Sequence, residues 1–340
     1  MSSRKGGSVM ALDEGCAIIP AAGIGSRLKP HTHTVPKPLL SVGGKPILAH
    51  IIDEIVGLGI RKVVLIVGYR GDQIITFAEK RYPDCEIIAV QQDKPKGIGH
   101  AVNLARDHAI GRPTLIVFGD TVFECDLVPI ADLDVDGAIG VRQVDDPSRF
   151  GVVRLEGDRI VDVVEKPDHF VSDQAMVGVN LIRDSDRLFA CLEELIQSGQ
   201  KTRGEYQLTD AFAAMVEQGA HLHAFPVDNW FDCGVTESLL ETNRHLLGRL
   251  GPAESRDGVI LIPPVFVAES AEVTNSVVGP HVSVGEGARI SDSVIKDSIV
   301  GEGAQVAGCY LNQSLIGDNA VVEAGARRLN VGDSSEVRLY

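Results

Sequence analysis

Cys16-Ala-Ile-Ile-Pro-Ala-Ala-Gly-Ile-Gly-Ser-Arg-Leu28 is a short apolar run that empties into a glycine-rich turn. A run of this kind, closed by glycines, reads as a buried strand and the loop that leaves it. Working outward, residues 46–58 put Ile47, Leu48, Ile51, Ile52, Ile55 and Val56 on one helical stripe. Pro46 suits the first turn of that helix and Gly59 its end. Lys62–Val67 is a β-branched run, Gly71–Arg81 reads as a helix, Glu86–Gln91 as a strand, 98–109 as a helix and 114–118 as another apolar strand. Continuous apolar strands alternating with amphipathic helices predict an α/β fold with a Rossmann-like, doubly wound parallel sheet covered on both faces. Ligands of such sheets sit beyond the carboxyl ends of the strands. Chemistry is therefore expected just after Ala21, Val90 and Phe118.

The bulk properties narrow the function classes. At 340 residues the chain exceeds one ordinary core, and two domains are expected: 15–250 and 255–340, after a polar leader over 1–14. The leader lacks the apolar middle of a signal peptide, and no stretch approaches the length of a membrane helix. A net charge of −15 argues against a nucleic-acid partner. The cysteines (Cys16, Cys85, Cys125, Cys191, Cys233, Cys309) are scattered singly, which fits small buried residues in a reducing, cytoplasmic setting.

From about Gly251 the texture changes. Val284-Gly285, Val300-Gly301 and Ile316-Gly317 recur every 16 residues, and Gly-Glu-Gly-Ala recurs at 285–288 and 301–304. Each repeat reads as one solenoid coil with an inward aliphatic position on every face. The pattern resembles the hexapeptide repeat of left-handed parallel β-helices. An end coil leaves aliphatic surface to cover, so a homo-oligomer is expected.

The turn after the first strand fits neither GxxxxGK[ST] nor GxGxxG. Its Gly23 and Gly25 still allow the backbone to approach a phosphate chain, Ser26 and Arg27 follow, and Lys37 lies between Pro36 and Pro38. Ala21-Ala22-Gly23-Ile24-Gly25-Ser26-Arg27-Leu28, then Pro36-Lys37-Pro38-Leu39-Leu40, then Gly44-Lys45-Pro46 resemble the opening signature of the sugar-nucleotide pyrophosphorylases (sugar-1-phosphate nucleotidylyltransferases). The resemblance continues in order through Gln92…Gly97, Gly119-Asp120, Asp146-Pro147-Ser148-Arg149-Phe150-Gly151-Val152, Val164-Glu165-Lys166-Pro167, Val177-Gly178-Val179-Asn180, Thr202-Arg203-Gly204-Glu205 and Trp230-Phe231-Asp232-Cys233-Gly234.

This resemblance implies the mixed-sheet nucleotidyltransferase fold followed by a short β-helix, and an enzyme that joins a nucleoside triphosphate to a sugar 1-phosphate. By it, Arg27 and Lys37 carry catalysis, and Ala22, Gly23, Gly25, Ser26, Gln92 and Gly97 hold the nucleotide. Phe150, Gly151, Glu165, Lys166, Gly178, Arg203 and Glu205 form the sugar-phosphate site, and Asp120 and Asp232 bind Mg²⁺. Thr209 and Asp210 are expected to cap or brace a helix. Gln92 with Gly97 leans toward a pyrimidine, and dTTP with glucose 1-phosphate is the favoured pair. Ala22, where many thymidylyltransferases have Gly, and Thr121, where Asn is common, depart from the pattern. The alternatives are uridylyl transfer to glucose 1-phosphate, guanylyl transfer to mannose 1-phosphate, a solenoid acyltransferase working through His281, or a non-catalytic nucleotide-sugar-binding regulator.

Overall fold

The structure, a computed structural model, describes residue 12 and residues 14–251 and 258–324. Apart from Leu12 and Glu14, the expected leader lies outside the described residues, as does 325–340 of the expected solenoid. The chain divides into two compact units. One runs to Ser238 without Ser41–Gly44, and the other comprises Ser41–Gly44 and the chain from Leu239 onward. The division falls upstream of Gly251, where the texture of the sequence changes.

The first unit is built on a nine-stranded sheet in the order Glu86–Gln91, Lys62–Val67, Cys16–Pro20, Thr114–Val117, Gln174–Ile182, Gly137–Gln143, Leu222–Pro226, Arg159–Glu165, Gly151–Glu156. The first four strands are parallel. Gln174–Ile182 runs antiparallel to both of its neighbours, so the sheet is mixed. From Cys16–Pro20 the chain steps twice toward one edge and then returns on the other side with Thr114–Val117. This reversal opens a crevice beyond Pro20 and Val117, the place where such sheets take ligands.

Ile47, Leu48, Ile52 and Ile55 of the helix Ile47–Gly57 are completely buried, as its apolar stripe requires. The helix expected over 98–109 is instead broken into Ile98–Leu104 and Arg106–Ala109. At the break, the Ala105 N–H bonds the Val102 carbonyl, three residues back. Helices Ser185–Ser198 and Leu208–Glu217 close the core over the antiparallel half with Phe189 and Phe212, both fully buried.

The second unit is the left-handed parallel β-helix that the repeats predict. Three four-stranded parallel sheets are made of strands two or three residues long. Val278, Val282, Val284, Ile290, Ile295, Val300 and Val306 stack inside. The corners carry a serine relay. Ser276 Oγ donates to the Thr274 carbonyl and accepts from the Ser293 N–H, and Ser293 Oγ accepts in turn from the Cys309 N–H. On another corner Ser298 Oγ accepts from the Ser314 N–H.

The helix Thr236–Leu247 meets the coils through Asn243, which is fully buried. Its Oδ1 accepts from the Gly43 N–H (2.9 Å) and from Ser283 Oγ (2.5 Å), and its Nδ2 donates to the His281 carbonyl (3.3 Å). Arg244 adds a two-pronged pair to Asp297 at 2.5 and 2.7 Å. The hydrogen bond from Arg244 holds the Asp297 carboxyl below its ordinary value.

Candidate active site

The strand Cys16–Pro20 delivers its turn into the crevice. The Ala21 N–H still bonds the Ile66 carbonyl at 2.8 Å, and the Gly119 N–H bonds the Pro20 carbonyl at 3.1 Å. Beyond these bonds the loop parts from its neighbours. Gly25 has φ +67, and a Cβ there would lie 2.9 Å from Thr32 Cγ2. Buried Thr32 also donates from Oγ1 to the Gly25 carbonyl at 2.8 Å, so conformation and packing both require glycine. Gly23 differs: its φ is ordinary and nothing lies within 4 Å of a Cβ built on it. The open space before its backbone is the kind an approaching anion needs.

Lys37 opens a short turn after extended Pro36 (φ −67, ψ 145). Its side chain is 10% exposed, and Nζ lies 2.5 Å from Asp120 Oδ2 and 3.8 Å from Asp232 Oδ1. The two carboxylates meet because Asn229–Asp232 pairs antiparallel with Thr121–Glu124, setting Asp232 opposite Thr121. The Cys233 N–H then bonds the Asp120 carbonyl at 3.0 Å. Burial, reinforced by the Asp120 charge, raises the Asp232 carboxyl against the opposing pull of Lys37 and Arg27. Two crowded carboxylates fit a hard divalent cation. Among the described residues no group of three or more His, Cys, Asp or Glu is placed to hold a metal, so an ion on this pair would complete its shell with phosphate oxygens and water.

Two cavities adjoin here. One of about 290 Å³ is walled by Pro20–Gly23, Lys37, Gln92, Gly97 and Phe118–Asp120. The other, of about 340 Å³, is walled by Arg27, Arg149–Gly151, Glu165, Lys166, Gly178, Thr209, Trp230 and Asp232. Ile98, Phe118, Asp120 and Glu205 border both. In the first, Gln92 is buried, its Nε2 donating to the Gly97 carbonyl at 3.3 Å and lying 3.1 Å from His100 Nδ1. Burial, helped by Lys96, lowers the His100 pKa and keeps the ring neutral, so it can accept there. Gly97 (φ +107) is obligatory, since a Cβ would lie 2.4 Å from the Tyr206 carbonyl. Gln91 belongs to the strand and is exposed.

In the second cavity Glu165 is held at both oxygens, by Thr209 Oγ1 at 2.9 Å and Lys166 Nζ at 3.2 Å. Thr209 thus braces Glu165 and lines the cavity, whereas Gln207 occupies the helix N-cap without a side-chain capping bond and donates instead to the Thr202 carbonyl and Glu205 Oε2. Asp210 follows in the first turn, its carboxyl raised by burial. Lys166 and Arg203 both adopt left-handed backbone, φ 41 and 55. Strain of this kind costs on the order of 1 kcal/mol or more per residue and concentrates at functional sites. Arg203 donates to the Lys166 carbonyl (3.0 Å) and to Asp168 (2.5 Å). Of the residues singled out in the sequence, Gly25, Ser26 and Arg203 stand outside both cavity walls.

Among the wall residues to which the sequence assigns no role are Phe118, Arg149 and Trp230. Phe118 packs where a Cβ on Gly178 would be 2.6 Å away, so the strand glycine makes room for a ring. Trp230 meets Phe150 edge-on, with centroids 5.2 Å apart at 71°, and its buried Nε1–H has no partner among the described residues. As the only tryptophan in the chain, beside Asp232, it was the signal available.

A mixed α/β sheet with its cleft at the strand-order reversal, followed in the chain by a left-handed β-helix, defines the class as a two-unit α/β protein. Residues 16–249 match the family model described as nucleotidyl transferase, and the chain belongs to that family. It is 36% identical over 236 residues to the bifunctional protein GlmU of Methanococcus maripaludis, a match covering 69% of this chain and 55% of that one. The chain thus spans about half the length of that relative. It is 32% identical over 292 residues to the glucose-1-phosphate thymidylyltransferase of Streptomyces antibioticus, covering 82% of this chain and 80% of the relative. A Bacillus anthracis structure assigned as a glucose-1-phosphate thymidylyltransferase, in complex with a sucrose, superposes with a TM-score of 0.60 at 27% identity, covering 70% of this chain and 97% of that one. Among the described residues no helix is long and apolar enough to cross a membrane.

Proposed function

We propose that the protein transfers a nucleotidyl group from a nucleoside triphosphate, dTTP in the first place, to a sugar 1-phosphate, glucose 1-phosphate in the first place, releasing pyrophosphate. The observation that carries this reading is the buried Lys37 held between Asp120 and Asp232 beside two adjoining cavities. The length of the match to the Streptomyces thymidylyltransferase supports the choice of base and sugar.

An oxygen of the sugar phosphate attacks the α-phosphorus, a new P–O bond forms, and the bond to the β-phosphate oxygen breaks in line. The attacking phosphate is already ionised near neutral pH, so no general base is needed. The protein's task is to bring two anions together, chiefly through preorganised charge. Lys37 receives the α-phosphate and Arg27 the departing phosphates. Gln92 reads the base edge, with the Gly97 carbonyl and His100 fixing its amide. Glu165, braced by Thr209, orients the sugar hydroxyls, and Lys166 and Arg203 grip its phosphate. Asp120 and Asp232 would hold Mg²⁺, which supplies further neutralisation of phosphate charge.

The regulator reading has no missing charge to rest on, since Arg27, Lys37, Asp120 and Asp232 are all in place. In the solenoid, the His281 carbonyl is occupied by Asn243, which favours a structural role there. A cytoplasmic homo-oligomer is part of the proposal, and Cys16, Cys85, Cys125, Cys191, Cys233 and Cys309, none of them in a disulfide, suit that compartment.

The test is pyrophosphate release with Mg²⁺ over a grid of nucleoside triphosphates and sugar 1-phosphates. Release requiring both partners, highest with dTTP and glucose 1-phosphate, is expected. A folded protein silent across the grid would sink the proposal, and a best rate with UTP or GTP would reassign the base.

A further inference from the structure

A cleft that must receive phosphate anions gains most from cations that are not already paired with a carboxylate. Lys37 is committed to Asp120 and Asp232, Lys166 lies 3.2 Å from Glu165, and Arg203 lies 2.5 Å from Asp168. Three cations line the sugar-side cavity: Arg27, Arg149 and Lys166. Among the described residues, Arg27 and Arg149 have no carboxylate within 4.0 Å. Arg27 has a role from its motif; Arg149 has none.

The placement of Arg149 is built rather than incidental. Asp146 accepts from the Ser148 N–H (3.2 Å) and Ser148 Oγ (2.6 Å), fixing the turn Pro147–Arg149. The Phe150 N–H closes that turn onto the Pro147 carbonyl at 3.1 Å. The guanidinium carbon then lies 6.0 Å from the centroid of the Phe150 ring, which itself meets Trp230. Stacking narrows the freedom of an otherwise exposed arginine. The Arg149 charge also reaches Asp232, acting to lower its carboxyl.

We propose that Arg149 is a further catalytic residue, whose guanidinium engages the phosphate of the incoming sugar 1-phosphate. This rests on the nucleotidyl-transfer reading above. A planar fork suits a phosphate bidentately, and a lysine at the same place would act as a point charge. Arg149 borders the sugar-side cavity beside Phe150, Gly151 and Lys166 and does not border the other, and its effect is accordingly assigned to the sugar phosphate rather than to the nucleotide.

The experiment uses the full chain, with Arg149→Met, which keeps an apolar arm over Phe150 without charge, and Arg149→Lys. Glucose 1-phosphate is titrated calorimetrically, alone and with a non-hydrolysable dTTP analogue, and steady-state kinetics follow both substrates. A charge-assisted hydrogen bond is worth enough to predict a fall of roughly 10- to 100-fold in kcat/KM for glucose 1-phosphate in Arg149→Met. Its Kd should rise by about the same factor, the KM for dTTP should stay within about twofold, and Arg149→Lys should recover part of the loss. Wild-type binding and turnover in Arg149→Met, or equal losses for both substrates, would overturn the proposal. If the wild type turns over nothing, the reaction reading falls. The titration still decides on Arg149, because unchanged binding in Arg149→Met, or no binding by the wild type, overturns it.

Discussion

Lys37 and Asp232 show how a single residue can serve chemistry at the expense of stability. Burial and Asp120 raise the Asp232 carboxyl, so the folded state holds that proton more readily than the unfolded chain does. The stability this group contributes is therefore full below the ordinary carboxylate value and is lost as pH rises through the raised one. At neutral pH the charged Asp232 works against the metal-free fold. Asp232→Asn is expected to melt at or above the wild-type temperature at pH 7 without metal, and to show a weaker gain on acidification. Its turnover should fall by about 100- to 1000-fold, the usual cost of removing a well-placed charge-stabilising group. Melting curves with and without Mg²⁺, beside kinetics, check both signs. A variant that is less stable and still active would contradict the assignment.

At the scale of elements, legibility followed locality. The strands from Cys16 to Val117 were readable because each is a continuous apolar run between clear breaks. The antiparallel insertion of Gln174–Ile182 was not, because an equally apolar strand carries no mark of its direction. The roles of Arg27, Lys37, Asp120 and Asp232 came from motif order, and the geometry does bring Lys37 and the two aspartates together. The bracing of Glu165 by Thr209 joins two distant segments, and no local spacing announces such a pair. Arg149 was hidden for the opposite reason, since an exposed arginine in a turn looks like any surface cation. Asn243 is similar: a polar residue mid-helix reads as solvated, yet it is fully buried with three partners. Asn243→Ala leaves the Gly43 N–H and the Ser283 hydroxyl without their acceptor, and each loss of this kind costs about 1–3 kcal/mol. A clear drop in the melting temperature of the solenoid unit is expected, whereas Ser283→Ala, which removes one donor and leaves Asn243 bonded to the Gly43 N–H and the His281 carbonyl, should lose less. Calorimetry on both variants measures the difference.

Across the whole molecule, the α/β unit and the solenoid each hold a buried hydrophobic cluster of their own among the described residues, which makes a single all-or-none transition the wrong expectation. Unfolding should be non-two-state, with a calorimetric enthalpy above the van't Hoff value. Ligands that bind one unit shift its transition alone: at a hundred times Kd the gain is about 2.7 kcal/mol. Saturating dTTP with Mg²⁺ is therefore expected to move the transition of the α/β unit and leave that of the solenoid in place. Both moving together, or a single two-state melt, would show instead that the units unfold as one.

The serine relay of the solenoid bears on how such a chain can change length. Ser276 and Ser293 each answer a backbone N–H of the next coil, as Ser298 does on another corner, so the contact recurs at a spacing of one coil. Strands across successive coils pair at a step of 17 residues (Glu272 with Arg289) and then 16 (Arg289 with Gln305). A gain or loss of one full step keeps the stacked strands in register and the inward aliphatics inside. A gain of half a step strands a row of amides and turns valines outward. Insertions and deletions here are in effect counted in whole coils, so the solenoid can lengthen like a stack of identical tiles without disturbing those beneath.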